Sequence, residues 1–169
     1  TPVLQGVDMH VDAGEIAVIL GRSGCGKSTL LKTIIGLIEP RSGRVELLGE
    51  GLPDLDETSQ QALLQRIGIM FQYGALLNSL TVAENVALPL QMHRTLDPEL
   101  TVDIVRARLH LVGLDHAYNL LPTELSGGMR KRAALARALA MDPEVLFCDE
   151  PGAGLDPITA AGIDDLLLT

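Results

Sequence analysis

Nine residues, Gly21-Arg22-Ser23-Gly24-Cys25-Gly26-Lys27-Ser28-Thr29, constrain this chain more than any other stretch. They fit a Gly, four residues, then Gly-Lys-Ser/Thr, the pattern of a phosphate-binding loop. Ahead of them Ile16-Ala17-Val18-Ile19-Leu20 is an unbroken apolar run, as a fully buried parallel strand carries. Behind them Leu30 to Leu37 reads as a helix that opens at the loop. Strand, glycine loop and helix in that order is the context the pattern needs; an ordinary glycine turn requires none of it. Gly21, Gly24 and Gly26 free the backbone so that N–H groups wrap phosphate oxygens, with Ser23, Cys25 and Thr29 completing the cradle. The helix N-terminus adds partial positive charge. Lys27 is expected to reach the β- and γ-phosphates of a nucleotide, and the Ser28 hydroxyl to ligate Mg²⁺.

Bulk properties narrow the class. At 169 residues the chain can bury a sizeable core, and with 47% hydrophobic residues it is not a disordered chain. No apolar run reaches the ~18 residues of a membrane span, and no secretory leader is expected ahead of the loop. A formal charge of −9 argues against a nucleic-acid surface, so no nucleic-acid partner is expected. Cys25 and Cys148 lack metal-ligand spacing. Cys148 reads as a small buried core residue. Cys25 stands inside the loop, and a thiol at a helix N-terminus ionises more readily, so its alkylation is expected to block nucleotide binding.

Along the chain, Val3 to Val11 alternates partly and leads through Ala13-Gly14 into the apolar run, which suggests a hairpin. Arg44 to Leu48 reads as a short strand, Gln61 to Gln65 as helix, and Ile67 to Phe71 as a buried strand ending at Gln72. Helical patterns then dominate, notably Val82 to Leu90, Leu100 to Val112 and Arg130 to Met141. Val145 to Cys148 is a second buried strand, ending in Asp149-Glu150. The expected organisation is a nucleotide-binding core over 1–72, a helical subdomain over 73–140, and a return to the core over 141–169.

A strand ending in two acids suits the second half of an ATPase site. Asp149 would hold Mg²⁺ through its water shell, and Glu150 would polarise the attacking water. Gln72 offers an uncharged donor and acceptor for the metal or its water. Ser126-Gly127-Gly128 ahead of a helix is a second anion-binding arrangement. A helix cap explains the serine but not the paired glycines. One nucleotide rarely needs two cradles, so the sensible use is on a nucleotide held by a second copy. The cations Arg130, Lys131, Arg132 and Arg137 read as a solvated face or a dimer-facing patch. The apolar stretch from Ala75 to Leu90 reads as helical-domain core.

These pieces resemble the ATP-binding-cassette (ABC) ATPases. GRSGCGKST, Gln72, LSGGM and VLFCDE stand in that family's order and approximate spacing, and Gly154-Leu155-Asp156 is similar to its D-loop. The resemblance implies an α/β fold: a P-loop NTPase core of ABC type, with a mixed sheet, flanking helices and a small antiparallel β part, plus a helical signature subdomain. It implies ATP and Mg²⁺ as ligands, with Lys27, Gln72 and Glu150 as the catalytic set. It implies a head-to-tail dimer with two ATP molecules sandwiched between the loop of one copy and the Ser126-Gly127-Gly128 of the other, Asp156 communicating between sites. An integral-membrane permease is the implied partner, which would place the protein in the cytoplasm on the inner-membrane face.

A narrower resemblance is carried by Phe71-Gln72-Tyr73-Gly74-Ala75-Leu76-Leu77, Leu80 to Val86, Gly127 to Ala138 and Gly154 to Ile158. These segments look like the ATPases of Mce/Mla-type lipid transporters in bacteria, and imply phospholipid transport and an Mce-domain substrate-binding partner. The alternatives are an ABC ATPase of a different importer or exporter, or a non-transport ABC ATPase of the DNA-repair or translation type. Against the repair type, only about a hundred residues separate the loop from LSGG, without sustained heptads. Family members also carry an upstream aromatic that stacks on adenine and a switch histidine downstream. Neither is present, His10, His93, His110 and His116 all preceding Asp156, and Gly152 replaces a common Ser/Thr. The chain is therefore expected to be truncated at both ends, with weak hydrolysis of its own.

Overall fold

The computed structural model describes residues 3–94 and 96–168. The chain divides into two compact units, residues 1–64 and residues 65–169.

In the first unit, helix α1 spans Lys27–Ile34 and begins at Gly26, whose φ of 105° lies in the left-handed region. Val3 and Leu4 side chains pack where a Cβ at Gly26 would project, so only glycine fits there. Strands β1 (Glu46–Leu47) and β2 (Glu50–Gly51) pair antiparallel across a two-residue turn. Its residues Leu48 and Gly49 both take positive φ, the geometry that matches strand twist. Helix α2 spans Glu57–Leu64 and starts with Asp56 accepting from the Ser59 N–H at 2.8 Å. Ile35, Leu47, Leu52 and Leu63 are the buried apolar side chains of this unit among the described residues.

Two expectations fail here. Residues 16–20 form no strand, and Ile16, Val18 and Leu20 are exposed, Leu20 to 88%. An apolar run becomes a buried strand only when neighbouring strands complete its ladder, and no described strand pairs with it. The turn expected at Ala13-Gly14 does form, with Glu15 N–H donating to Asp12 O at 3.1 Å, but no hairpin strands flank it.

The second unit holds one continuous core. Strands β3 (Ile67–Met70) and β4 (Val145–Cys148) lie parallel, pairing Ile67 with Val145 through Met70 with Cys148. Gly68 is required in β3, because a Cβ there would sit 2.5 Å from the Ala138 carbonyl oxygen, where backbone cannot yield. Helix α3 (Val82–His93) opens with a reciprocal cap: Thr81 accepts from Glu84 N–H, and Glu84 accepts from Thr81 N–H at 2.7 Å. Val82, Val86 and Leu90, four residues apart, put one face of α3 into the core. Helix α4 (Pro98–Leu111) adds Val105 and Leu109 at the same spacing, after an Asp97 cap with Pro98 at its first position.

Helix α5 (Gly127–Ala138) is different, since Ala133, Ala134, Leu135, Ala136 and Ala138 are buried around much of its circumference. Small side chains let α3, α4 and β3 approach a central helix. Helix α6 (Pro157–Leu167) closes the unit on an Asp156 cap. Between β3 and α3, buried Asn85 organises the loop. Its side chain accepts from Leu77 N–H and donates to the carbonyls of Leu77, Leu80 and Thr81, at 2.8 to 3.1 Å. A buried amide is stable only when its bonds are made in this way.

Candidate functional site

In the first unit the glycine loop stands open. Gly24 and Gly26 both have positive φ, and α1 opens from Gly26 with no side-chain cap bond from that residue. Lys27 Nζ donates to the carbonyls of Gly21 and Arg22 at 3.0 and 3.4 Å, so the ammonium folds back over the loop. Cys25 is exposed, and its Sγ covers Gly21 so closely that a Cβ there would lie 2.5 Å away. The loop is thus backbone-made, with one cation across its mouth.

The second unit builds its part from register. In the parallel ladder, residues 78 apart are partners, as with Ile67 and Val145. Carried one way, that offset joins Arg66 to Glu144, whose guanidinium and carboxylate meet at 2.7 Å. Carried the other way it joins Gln72 to Glu150, where Gln72 Nε2 donates to Glu150 Oε2 at 2.7 Å. The two residues singled out for water and metal chemistry therefore stand side by side at the C-terminal ends of adjacent strands. Ligand sites in open α/β sheets form at such strand ends. Asp149 is 9% exposed, and its N–H extends the ladder to Met70 O at 2.8 Å. Glu150 takes φ 47°, a left-handed conformation that costs a non-glycine residue about 1 kcal/mol. Backbone strain of this kind is held only by surrounding contacts.

One such contact comes from α5, where the Lys131 ammonium meets the Glu150 carbonyl, and the burial of Lys131 departs from the expected solvated face. The arginines of the same helix also donate to backbone carbonyls: Arg130, though exposed, to Leu125, Arg132 to Val112, and Arg137 to both Gly74 and Ala75 at 2.7 Å. Lys131, 7% exposed, donates to the carbonyls of Gln72 and Glu150. Burial holds its ammonium below the usual lysine range, while the carboxylates of Asp149 and Glu150 pull the other way. Burial likewise pushes the Cys148 thiol up to about 11, consistent with an inert core residue. An alanine-rich helix with four cations is a signal for this arrangement, because small side chains leave only the cations to reach across.

Ser126 Oγ accepts from Met129 N–H at 3.2 Å, so it does cap α5. Gly128 has a packing reason as well, since a Cβ there would lie 2.5 Å from Thr159 Cγ2 on α6. Gly127 faces Leu155 at an ordinary distance. Asp156 accepts from both the N–H and the hydroxyl of Thr159, and these bonds, the hydroxyl's first, hold its carboxyl below the ordinary range. Gln72, Gly127, Arg130, Lys131 and Gly154 line a cleft of about 390 Å³ in this unit. Of the apolar stretch after Ala75, the α3 residues are core, while Leu77 in the loop is exposed.

A glycine loop opening a helix, and a parallel strand ending in two acids, are the parts that mark a P-loop nucleotide-binding fold. Residues 4–153 match the model of the ABC transporter family, and the chain belongs to that family. Over 166 residues it is 40% identical to a probable ribonucleotide transport ATP-binding protein, mkl, of Mycobacterium leprae, covering 98% of this chain and 48% of the relative. It is 42% identical to the intermembrane phospholipid transport system ATP-binding protein MlaF of Escherichia coli K12, covering 93% and 58%. It is 44% identical to the methionine import ATP-binding protein MetN 2 of Paraburkholderia xenovorans, covering 99% and 43%. The chain spans about half the length of these curated relatives. A dimeric ATP-binding cassette solved in a post-hydrolysis state with ADP and Pi superposes with a TM-score of 0.89 at 35% identity, covering 98% of this chain and 73% of the other.

Proposed function

We propose that this chain is the ATP-binding and ATP-hydrolysing part of a bacterial ABC transporter subunit, working as a head-to-tail dimer that drives a membrane permease. The observation that carries this reading is the 2.7 Å bond from Gln72 to Glu150, which sets a carboxylate and an amide on one spot at two strand ends. Glu150 takes the proton of the attacking water, and Gln72 orients that water. Lys27 stabilises charge on the transferred phosphoryl group, with the loop N–H groups of residues 21–29 binding the phosphates. The Asp149 carboxylate, the Ser28 hydroxyl and the Gln72 amide are hard oxygen donors of the kind Mg²⁺ takes. When bound, Mg²⁺ neutralises phosphate charge. Ser126, Gly127 and Gly128 complete the partner copy's nucleotide site, and Asp156, anchoring α6 beside them, links the two sites.

No described helix is long and apolar enough to cross a membrane. By likeness to the curated ATP-binding proteins we infer a separate permease subunit, with this protein at the cytoplasmic face of the inner membrane. For the cargo we infer phospholipid, with an Mce-domain partner, on the segments from Phe71 to Val86 and on the likeness to MlaF. The 44% identity to MetN 2 favours a second reading, a small-solute importer.

The test is sizing and turnover of the protein beside Glu150→Gln, with ATP and Mg²⁺. A dimer that forms only with ATP and persists in the variant supports the motor; a chain that neither binds nor hydrolyses ATP overturns it. The two cargo readings part on the co-purified permease complex: bound phospholipid supports the first, methionine-stimulated turnover the second.

A further inference from the structure

Lys131 is a costly residue to bury. Taking an ammonium out of water is unfavourable unless its donors are used and its charge is met, and a methionine of similar volume would fill the same space without that cost. Here the donors go to two carbonyls far apart in the chain, those of Gln72 and Glu150. These are the two residues that the strand register sets side by side. The Glu150 carbonyl belongs to a residue in the left-handed region, and it also accepts from Ala153 N–H at 3.1 Å. Six residues further along the same helix, Arg137 grips the carbonyls of Gly74 and Ala75, Ala75 too having positive φ. Helix α5 thus holds both turns that follow the parallel strands.

We propose that Lys131 is a positioning residue of the ATPase: its ammonium ties the Gln72 turn and the Glu150 turn to α5, so that amide and carboxylate keep one geometry. The inference rests on the ATPase reading above. It gives α5 a mechanical task besides presenting Ser126 and Gly128, since a shift of the helix moves Gln72 and Glu150 with it. Charge neutralisation by itself would not require the carbonyl contacts, and packing by itself would not require the charge.

The experiment compares the wild-type protein with Lys131→Met and Lys131→Arg, by steady-state ATP turnover and by amide hydrogen exchange without nucleotide. A displacement on the scale of an ångström lowers turnover on the order of 100-fold, so Lys131→Met is expected to lose about 30- to 100-fold in kcat with KM for ATP within about 2-fold. Exchange over residues 72–75 and 149–153 rises about tenfold, while α3 and α4 keep wild-type protection. Lys131→Arg, which retains a cation with several N–H donors, recovers at least about tenfold of the lost rate. Unchanged kcat, a loss confined to KM, or exchange raised evenly across all helices would overturn the proposal. Should Lys131→Met fail to fold, Lys131→Gln carries the same comparison. If wild-type protein turns over no ATP, the ATPase reading fails, and the exchange at 72–75 and 149–153 alone decides whether Lys131 holds the turns.

Discussion

The two units put functional groups in place by opposite means. In residues 1–64 the phosphate loop is shaped by its own backbone, through glycines at positive φ and a helix that starts without a side-chain cap. In residues 65–169 the residues at the strand ends are placed by distant partners: Gln72 by Glu150, both by Lys131, and the turn after Gln72 by Arg137. A local motif tolerates change around it but not within it. A side-chain network spreads its demands over the whole unit.

Variants can break or sharpen that contrast. The largest effect is expected at Asn85→Ala, which removes the four bonds that this buried amide makes to the backbone and should cost about 3 kcal/mol in denaturant unfolding. A loss under about 1 kcal/mol would mean water replaces the amide, and the second unit is less tightly wired than argued. Lys27→Ala is the counterpart in the loop. It should weaken ATP binding by about 100-fold, measured by titration calorimetry, because a charged hydrogen bond is worth about 1.5–3 kcal/mol, yet leave the melting temperature nearly unchanged. Alkylation of Cys25 should block binding by bulk in the same loop, and normal ATP affinity after complete modification would show that the loop has more room than its geometry suggests.

Gly128→Ala comes next, at about 1–2 kcal/mol, from the collision with Thr159 Cγ2. Thr159→Ser removes that methyl while keeping the hydroxyl on Asp156, so the double variant should regain most of the stability. Failure of that rescue would place the cost of Gly128→Ala elsewhere. Thr81→Ala should cost about 1 kcal/mol, the ordinary loss for a helix cap.

Acid provides the smallest and broadest test. Hydrogen bonds from Thr81 hold the Glu84 carboxyl below its ordinary value, and those from Thr159 do the same for Asp156. A group whose pKa is lowered on folding stabilises the fold above its unfolded value and loses that contribution as pH falls through the folded one. Stability measured by urea unfolding should therefore decline below about pH 4, and Glu84→Gln should flatten the decline.

How much of this was legible beforehand follows the same division. The helix opening at the glycine loop, the Ser126 cap and the strand closed by Asp149-Glu150 are local patterns, and each stands in the structure where the residues pointed, while the strand expected to reach Gln72 stops at Met70. The run from Ile16 to Leu20 misled, because hydrophobicity marks a segment fit to be buried but supplies no neighbour for its ladder. Lys131 misled for a related reason. Helical spacing tells from which side of a helix a side chain leaves, not which carbonyls lie beyond it.

The sequence by itself determined the residues available and their family: a glycine loop from Gly21 to Thr29, an acid pair at Asp149 and Glu150 closing a strand, and membership of the ABC transporter family. The tertiary structure decided the pairing of Gln72 with Glu150 and the burial of Lys131 between their turns. Both depend on a parallel register between strands 78 residues apart, and register is a long-range property set by packing.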